Sequence, residues 1–307
     1  MTENVLTLIA APAFGQSERV VLDVASEALR RLGADLEAID WLAPEIAVDL
    51  PFGGLDPEQA ESAVRVALRR RLGDLPVDIV GQRTEGRRKR LLVADMESTV
   101  IANEMLDELA DLLGLGNRVA ELTARAMNGD IDFVEALRER VRLLRGFPAS
   151  VLDDAARRIR INSGAAALVA TMRAHDATTA LVSGGFRAFT GRVREALGFD
   201  LDIANDLEIE GMQLAGTVRE PILGREAKLA ALTTLATERG IALAETIAVG
   251  DGANDLPMLE AAGLGVAFHA KPRVVERARH RIDHADLRAL LYVQGYRAGE
   301  VRDGTPD

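Results

Sequence analysis

Short apolar runs and helical stripes alternate along almost the whole chain. Val5 to Ala10 is a short apolar run of strand length. Val21, Val24, Ala25, Ala28, Leu29 and Leu32 then recur at helical spacing, and Gly33 follows as a natural helix terminator. Strand patterns come next over 36–41 and 45–50. A turn signal, Pro51-Phe52-Gly53-Gly54, precedes a helical face made of Ala60, Ala63, Val64, Ala67 and Leu68. Val77 to Val80 closes the set as a strand. The order βαββαβ predicts a small ferredoxin-like sandwich over residues 1–86.

A polar joint spans 81–90 and ends in Arg87-Arg88-Lys89-Arg90, a charge run expected to be a solvated linker or strand edge. Leu91 to Ala94 is a buried strand by pattern. From Met105 to about Arg160 the periodicity is helical. Leu106, Leu109, Ala110 and Leu113 share one face, and Ala136, Leu137, Val141 and Leu144 share another. Beyond it, strand and helix signals alternate, with strands expected at 179–182, in the 207–216 region, at 247–249 and at 265–268. The alternation predicts a Rossmann-like, mostly parallel α/β sheet over 87–307. A helical insert at about 104–160 separates its first two strands.

Composition narrows the function classes. The formal net charge of −11 argues against non-specific nucleic-acid binding, although a local positive pocket can still hold a small anion. There is no cysteine, which excludes disulfides and thiolate metal sites. No basic leader opens the chain, and the longest apolar runs fall far short of the ~20 residues needed to span a bilayer. The expectation is a soluble, cytoplasmic protein with no membrane or nucleic-acid partner.

Four segments carry candidate chemistry. The strand at 91–94 delivers Asp95 and Glu97, two residues apart, followed by Ser98 and Thr99. Such a carboxylate pair can divide phosphoryl transfer between a group that attacks phosphorus and a group that moves protons, although an Asp in this place can equally cap a turn. The strand at 179–182 runs into Ser183-Gly184-Gly185, where a hydroxyl and a close-approaching backbone precede a helix. Lys228 is one of only three lysines among 37 basic residues, so a compact ammonium has been kept there in an arginine-rich chain. Alone it reads as a surface residue. The strand at 247–249 ends in Gly250-Asp251-Gly252-Ala253-Asn254-Asp255, hard oxygen donors suited to Mg²⁺, with Asn254 also able to cap the next helix. In combination the four supply a nucleophile, an acid/base, a hydroxyl, a cation and metal carboxylates, the set that phosphomonoester hydrolysis requires.

These motifs, with Asp107-Glu108-Leu109-Ala110, Thr123 to Met127 and Leu137 to Val141, resemble the haloacid dehalogenase-like superfamily, and within it the bacterial phosphoserine phosphatases, over about 90–297. The resemblance implies Mg²⁺-dependent hydrolysis of O-phospho-L-serine through an aspartyl-phosphate, the last step of serine biosynthesis. It implies Asp95 as nucleophile, residue 97 as acid/base with its carbonyl on the metal, and Asp251 as a further ligand supported by Asp255. Ser183, Lys228 and the Gly184 backbone would hold the phosphoryl group, and Asn254 would line the site. In the helical cap, Glu104 would meet the substrate ammonium, Arg140 its carboxylate, and Met127 and Phe133 would form an apolar lid.

Position 97 departs from the family pattern, which has Asp there. The extra methylene must fold back to put the carboxyl in place, and a misplacement of ~1 Å can cost ~10²-fold in rate. Accommodation by the pocket is the expectation. An impaired, amino-acid-binding regulatory protein is the alternative, and a phosphotransferase working through the same aspartyl-phosphate is another. The N-terminal unit loosely resembles ACT-type regulatory domains, which often bind amino acids at dimer interfaces. A homodimer is therefore expected, with a ligand sought at the Pro12 to Ser17 loop.

Overall fold

The computed structural model describes residues 2–128, 131–224 and 226–304, the side chains of 126–128 excepted. The N-terminal unit runs β1 (Asn4–Ala10), α1 (Glu18–Arg31), β2 (Asp35–Leu36), β3 (Asp40–Ala43), β4 (Ala47–Gly53), α2 (Pro57–Leu72) and β5 (Val77–Arg83). Its sheet has the order β2-β4-β1-β5, with β3 also on β4, and every pairing is antiparallel. One face is covered by α1 and α2 through Val21, Val24, Leu29, Ala60 and Val64. The other face, carrying Ile9, Leu42, Ala47 and Val80, packs into the core of the remaining chain. A strand covered on both faces favours apolar residues on both, which is why β1 is a near-continuous apolar run rather than an alternation, its buried Thr7 being hydrogen-bonded to Asp49.

Two details differ from expectation. The strand sought at 36–41 is broken into β2 and β3. β4 in turn runs through the expected turn at Pro51 to Gly53. Proline is tolerated there because Pro51 faces the break between β2 and β3, where its carbonyl accepts the Glu37 N–H and no donor is demanded of it.

The larger part starts at β6 (Leu91–Ala94). The cap helices follow: α3 (Met105–Leu112), α4 (Gly116–Asn128), α5 (Phe133–Arg142) and α6 (Val151–Ala156). Then come α7 (Ala165–Ala174), β7 (Thr178–Phe186), α8 (Arg187–Leu197), β8 (Leu201–Asn205), β9 (Leu207–Glu210), β10 (Gln213–Val218) and α9 (Ala227–Glu238). The chain ends with β11 (Thr246–Gly250), α10 (Leu256–Ala261), β12 (Leu264–Phe268), α11 (Pro272–Val275), β13 (His280–Ile282) and α12 (Ala289–Val293). Six strands form a wholly parallel sheet of order β13-β12-β11-β6-β7-β8 with apolar layers on both sides. The chain goes from β6 to β7 on one side and later returns to β11 on the other. Ligands settle at the carboxyl ends of strands at such a switch point. The 207–216 region is not part of this sheet. It is the antiparallel pair β9–β10, which hydrogen-bonds to the cap through Gly146 and Ala149. Among the described residues no helix is long and apolar enough to cross a membrane.

The basic run is only partly solvated: Arg88 and Arg90 are exposed, while Arg87 is half-buried and Lys89 buried. Arg87 donates to Asp49 at 2.6 Å, to Thr7 at 3.1 Å and to the Val293 carbonyl at 3.0 Å, so it ties β1 and β4 to the end of α12. Arg88 pairs with Glu300 and stacks on Tyr296. The Lys89 ammonium is buried against the carbonyls of Gly86 and Ala244. Asp78 accepts the N–H groups of Asp283, His284 and Ala285, and Glu61 pairs with His280 at 3.1 Å. Apart from Gly86, close to Lys89, the partners lie some 40 to 220 positions apart in sequence, so no local pattern announces them.

Candidate active site

The four sequence segments converge at the carboxyl ends of β6, β7 and β11. Asp95 follows β6, and its N–H still donates to Val249 of β11 at 3.0 Å, so the ladder fixes its backbone. Its Oδ1 accepts the Met96 N–H at 2.8 Å. Lys228, in the first turn of α9, is buried with its ammonium 2.7 Å from Asp95 and 2.6 Å from Asp255. Taken alone Lys228 reads as a surface lysine; the structure buries it among the site carboxylates. Burial of a helix position is decided by what packs over it, which a single residue does not reveal.

Asp255 folds back over the end of β11, where its Oδ2 accepts the Gly252 N–H at 2.9 Å. Gly250 permits this, since a Cβ there would lie 2.4 Å from the Asp255 carboxyl carbon. Asp255 itself stands at the N-cap of α10, so Asn254 does not cap that helix. Asp95, Asp251 and Asp255 each offer a carboxylate oxygen, all within 4.8 Å of one another. Two ammonium groups face them, Lys228 and Lys271, the latter 3.1 Å from Asp251. Three buried carboxylates against two ammoniums leave a deficit of positive charge in a cluster of hard oxygen donors. That composition fits a divalent cation. Burial, reinforced by neighbouring carboxylates, raises the Asp95 pKa well above the ordinary carboxylate range despite Lys228. Burial also raises Asp251. Burial alone would lower Lys228, but the two facing carboxylates outweigh it and keep the ammonium charged.

Glu97 shows how the longer side chain is accommodated. Oε1 accepts the N–H of Met105, the first residue of α3, at 2.8 Å. Oε2 lies 3.4 Å from the Ser183 hydroxyl. A Cβ at position 185 would sit 2.7 Å from that oxygen, so glycine there leaves room for the carboxyl. Burial and the Glu104 charge push the Glu97 pKa up to about 7. A carboxyl group at that value can both give and take a proton near neutrality.

The cap brings its residues to the same opening. Glu104 accepts from the Ser98 hydroxyl at 2.7 Å, and burial raises its pKa. Arg140 is anchored by its Nε to the Ala136 carbonyl at 3.1 Å. Burial lowers its pKa, against the opposing charges of Asp107, Glu97 and Glu104. Phe133 lies over two glycines: a Cβ on Gly184 would be 3.3 Å from its ring, and one on Gly224 3.9 Å. Ser183 accepts the Gly185 N–H at 2.9 Å. Asn254 sits beside Gly252 in the loop after β11. Met127 falls on α4 at a position whose side chain lies outside the described residues.

The sequence reading missed Lys271 and Asn205. Lys271 carried a signal, as the third of the scarce lysines. Asn205 carried none, being a lone amide at the end of the short strand Leu201–Asn205.

The chain belongs to the haloacid dehalogenase-like hydrolases, whose family model matches residues 92–260. Within that class its relatives are phosphoserine phosphatases. It is 44% identical to the phosphoserine phosphatase of Archaeoglobus fulgidus over 242 residues, 78% of this chain and 70% of that one. It is 42% identical to that of Lactococcus lactis over 203 residues, 66% of this chain and 94% of that one. A crystal structure of a haloacid dehalogenase-family hydrolase from Salmonella enterica serovar Typhi superposes with a TM-score of 0.83 at 28% identity, covering 95% of this chain and 98% of that one.

Proposed function

We propose that this protein is a phosphoserine phosphatase that hydrolyses O-phospho-L-serine to L-serine and phosphate through an aspartyl-phosphate on Asp95. The observation that carries the reading is the convergence of Asp95, Asp251 and Asp255 around the buried Lys228 ammonium at the mouth of a parallel sheet.

In the first step an Asp95 carboxylate oxygen bonds to phosphorus. The bond from phosphorus to the serine oxygen breaks, and Glu97 gives that oxygen its proton. In the second step Glu97 takes a proton from water, the water oxygen bonds to phosphorus, and the Asp95–phosphorus bond breaks. Ser183, the Gly184 N–H and Lys228 hold the phosphoryl oxygens where negative charge builds up. A Mg²⁺ ion held by Asp95, Asp251 and the carbonyl of residue 97, with Asp255 in support, would withdraw charge from those oxygens. Glu104 and Arg140 recognise the ammonium and carboxylate of serine, Met127 and Phe133 close over it, and Asn254 lines the pocket.

The same proposal assigns residues 1–86 to an ACT-like unit and 87–307 to the phosphatase, with its cap at about 104–160. It sets the protein in the cytoplasm as a homodimer. Phosphate release from L-phosphoserine with Mg²⁺ tests the activity. The parent should turn over, Asp95→Asn should be inert, and the Glu97→Asp rate measures what the longer acid contributes. An inert parent beside an active Glu97→Asp would overturn the reading in favour of a disabled enzyme.

A further inference from the structure

Asn205 closes β8 and is buried, next to the carboxyl-terminal part of β7 that carries Ser183 and Gly184. Its carboxamide makes three hydrogen bonds. The nitrogen donates to the Gly184 carbonyl at 2.8 Å and to the Leu223 carbonyl at 3.2 Å. The oxygen accepts the Leu223 N–H at 2.7 Å. The orientation of the amide is not ambiguous, because a flip would aim its NH₂ at an N–H and its oxygen at two carbonyls. Both amide hydrogens and the oxygen are used.

The two backbone segments so joined are remote in sequence and both serve the site. Gly184 lies in the stretch that faces the phosphoryl group. Leu223 and Gly224 lie on the approach to α9, whose first turn carries Lys228. The cap residue Phe133 rests on Gly184 and Gly224 together. One buried side chain therefore holds the two halves of the platform on which the phosphoryl group and the lid both come to rest.

We propose that Asn205 is a positioning residue for phosphoryl transfer, setting the Gly184 backbone and the Lys228 approach in mutual register. The proposal rests on the functional reading given above. Asparagine is required, since the position needs two donated hydrogens and one acceptor in a single plane. An aspartate of the same shape keeps the acceptor but turns an oxygen toward two carbonyls.

The test compares parent, Asn205→Asp and Asn205→Ser. The readouts are kcat and KM for L-phosphoserine, and the affinities for inorganic phosphate and for L-serine by isothermal titration calorimetry. Both variants should lose ~10–100-fold in kcat, as misplaced groups at a reacting centre do. Phosphate affinity should fall at least tenfold, while L-serine, read by the cap through Glu104 and Arg140, should bind within twofold of the parent. Parental kcat and phosphate affinity in either folded variant would overturn the proposal, and so would equal losses for phosphate and L-serine, which mark a general packing role. If Asn205→Asp does not fold, Asn205→Ser, which buries no charge, carries the same comparison. Failure of the functional reading shows itself separately, as a parent that binds phosphate but does not hydrolyse phosphoserine.

Discussion

Glu97 and Met105 are joined by a 2.8 Å hydrogen bond from the backbone N–H that opens the first cap helix to the carboxylate proposed to move protons. The acid/base group and the lid are therefore mechanically connected. A carboxylate at a helix N-terminus is also favoured by the helix dipole. Shortening the side chain must either break this contact or draw α3 inward. We expect Glu97→Asp to remain active with kcat lowered by ~10–100-fold. Glu97→Gln keeps the shape and should lose ~10²–10⁴-fold, as is usual for removal of an acid/base. Steady-state phosphate release decides. Equal rates for parent and Glu97→Gln would remove Glu97 from the mechanism.

Lys228 is enclosed by Asp95 and Asp255 and is almost inaccessible. Lys228→Met leaves two buried carboxylates facing each other without a cation. Breaking a buried pair costs about 3–5 kcal/mol. We expect a clear drop in Tm together with loss of phosphate release, and Lys228→Arg should not rescue activity, because a planar fork cannot take the place of a compact ammonium. A Lys228→Met protein as stable as the parent would show that these ion pairs do not hold the fold together.

The carboxylate cluster makes a prediction for metal binding that is independent of turnover. Mg²⁺ should raise the Tm of the parent in proportion to the logarithm of its concentration above Kd. The rise should disappear in Asp251→Asn, and chelation should abolish phosphate release. An unchanged Mg²⁺ response in Asp251→Asn would mean the cation binds elsewhere.

Glu61 gives a pH dependence. Burial raises its pKa, but His280, the Gly81 N–H and Arg65 more than offset this, and the pKa stands below its ordinary 4.5. A depressed carboxyl pKa means that the folded state holds the proton less tightly than the unfolded chain. The stabilisation is therefore fully present above pH 4.5 and is lost as pH falls through the lower folded value. Glu61→Gln should be less stable than the parent by about 1–3 kcal/mol at pH 7, the usual effect of leaving buried polar groups imperfectly paired. The gap should narrow below pH 4.5. Parallel stability curves for the two proteins down to pH 3 would contradict this assignment.

The site was largely legible from the sequence because its parts sit where a short apolar strand stops. Asp95, Ser183 and Asp251 each end such a run, and strands buried on both faces in a parallel sheet leave an unmistakable signature. Strand β13, three residues long and polar at two of them, left none. The strand character of 207–216 was visible, but its pairing was not, because an antiparallel pair and two sheet strands read alike. Within the basic run Arg87 and Lys89 were misjudged as solvated, and Lys228 was legible only in combination with the other motifs, for one reason. Their partners, Asp95, Asp255, Asp49 and the carbonyl of Val293, are distant in sequence, and a charged residue looks solvated until its partner is known. Glu97 raised a question of space that no sequence pattern addresses, and Gly185 leaves the room its longer carboxyl takes.

The polar seam between the N-terminal sheet and the larger part has a calorimetric consequence. Arg87, Asp78 and Glu61 each satisfy groups on the opposite side. Melting either side alone would strand ions and amides in an apolar setting, which is costly. The two sides should therefore absorb heat in one cooperative peak, with calorimetric and van't Hoff enthalpies in agreement, rather than in two. By the same reasoning, a proteolytic cut in the 81–90 joint would not release a self-sufficient catalytic fragment. It would leave a nicked particle whose halves still melt together.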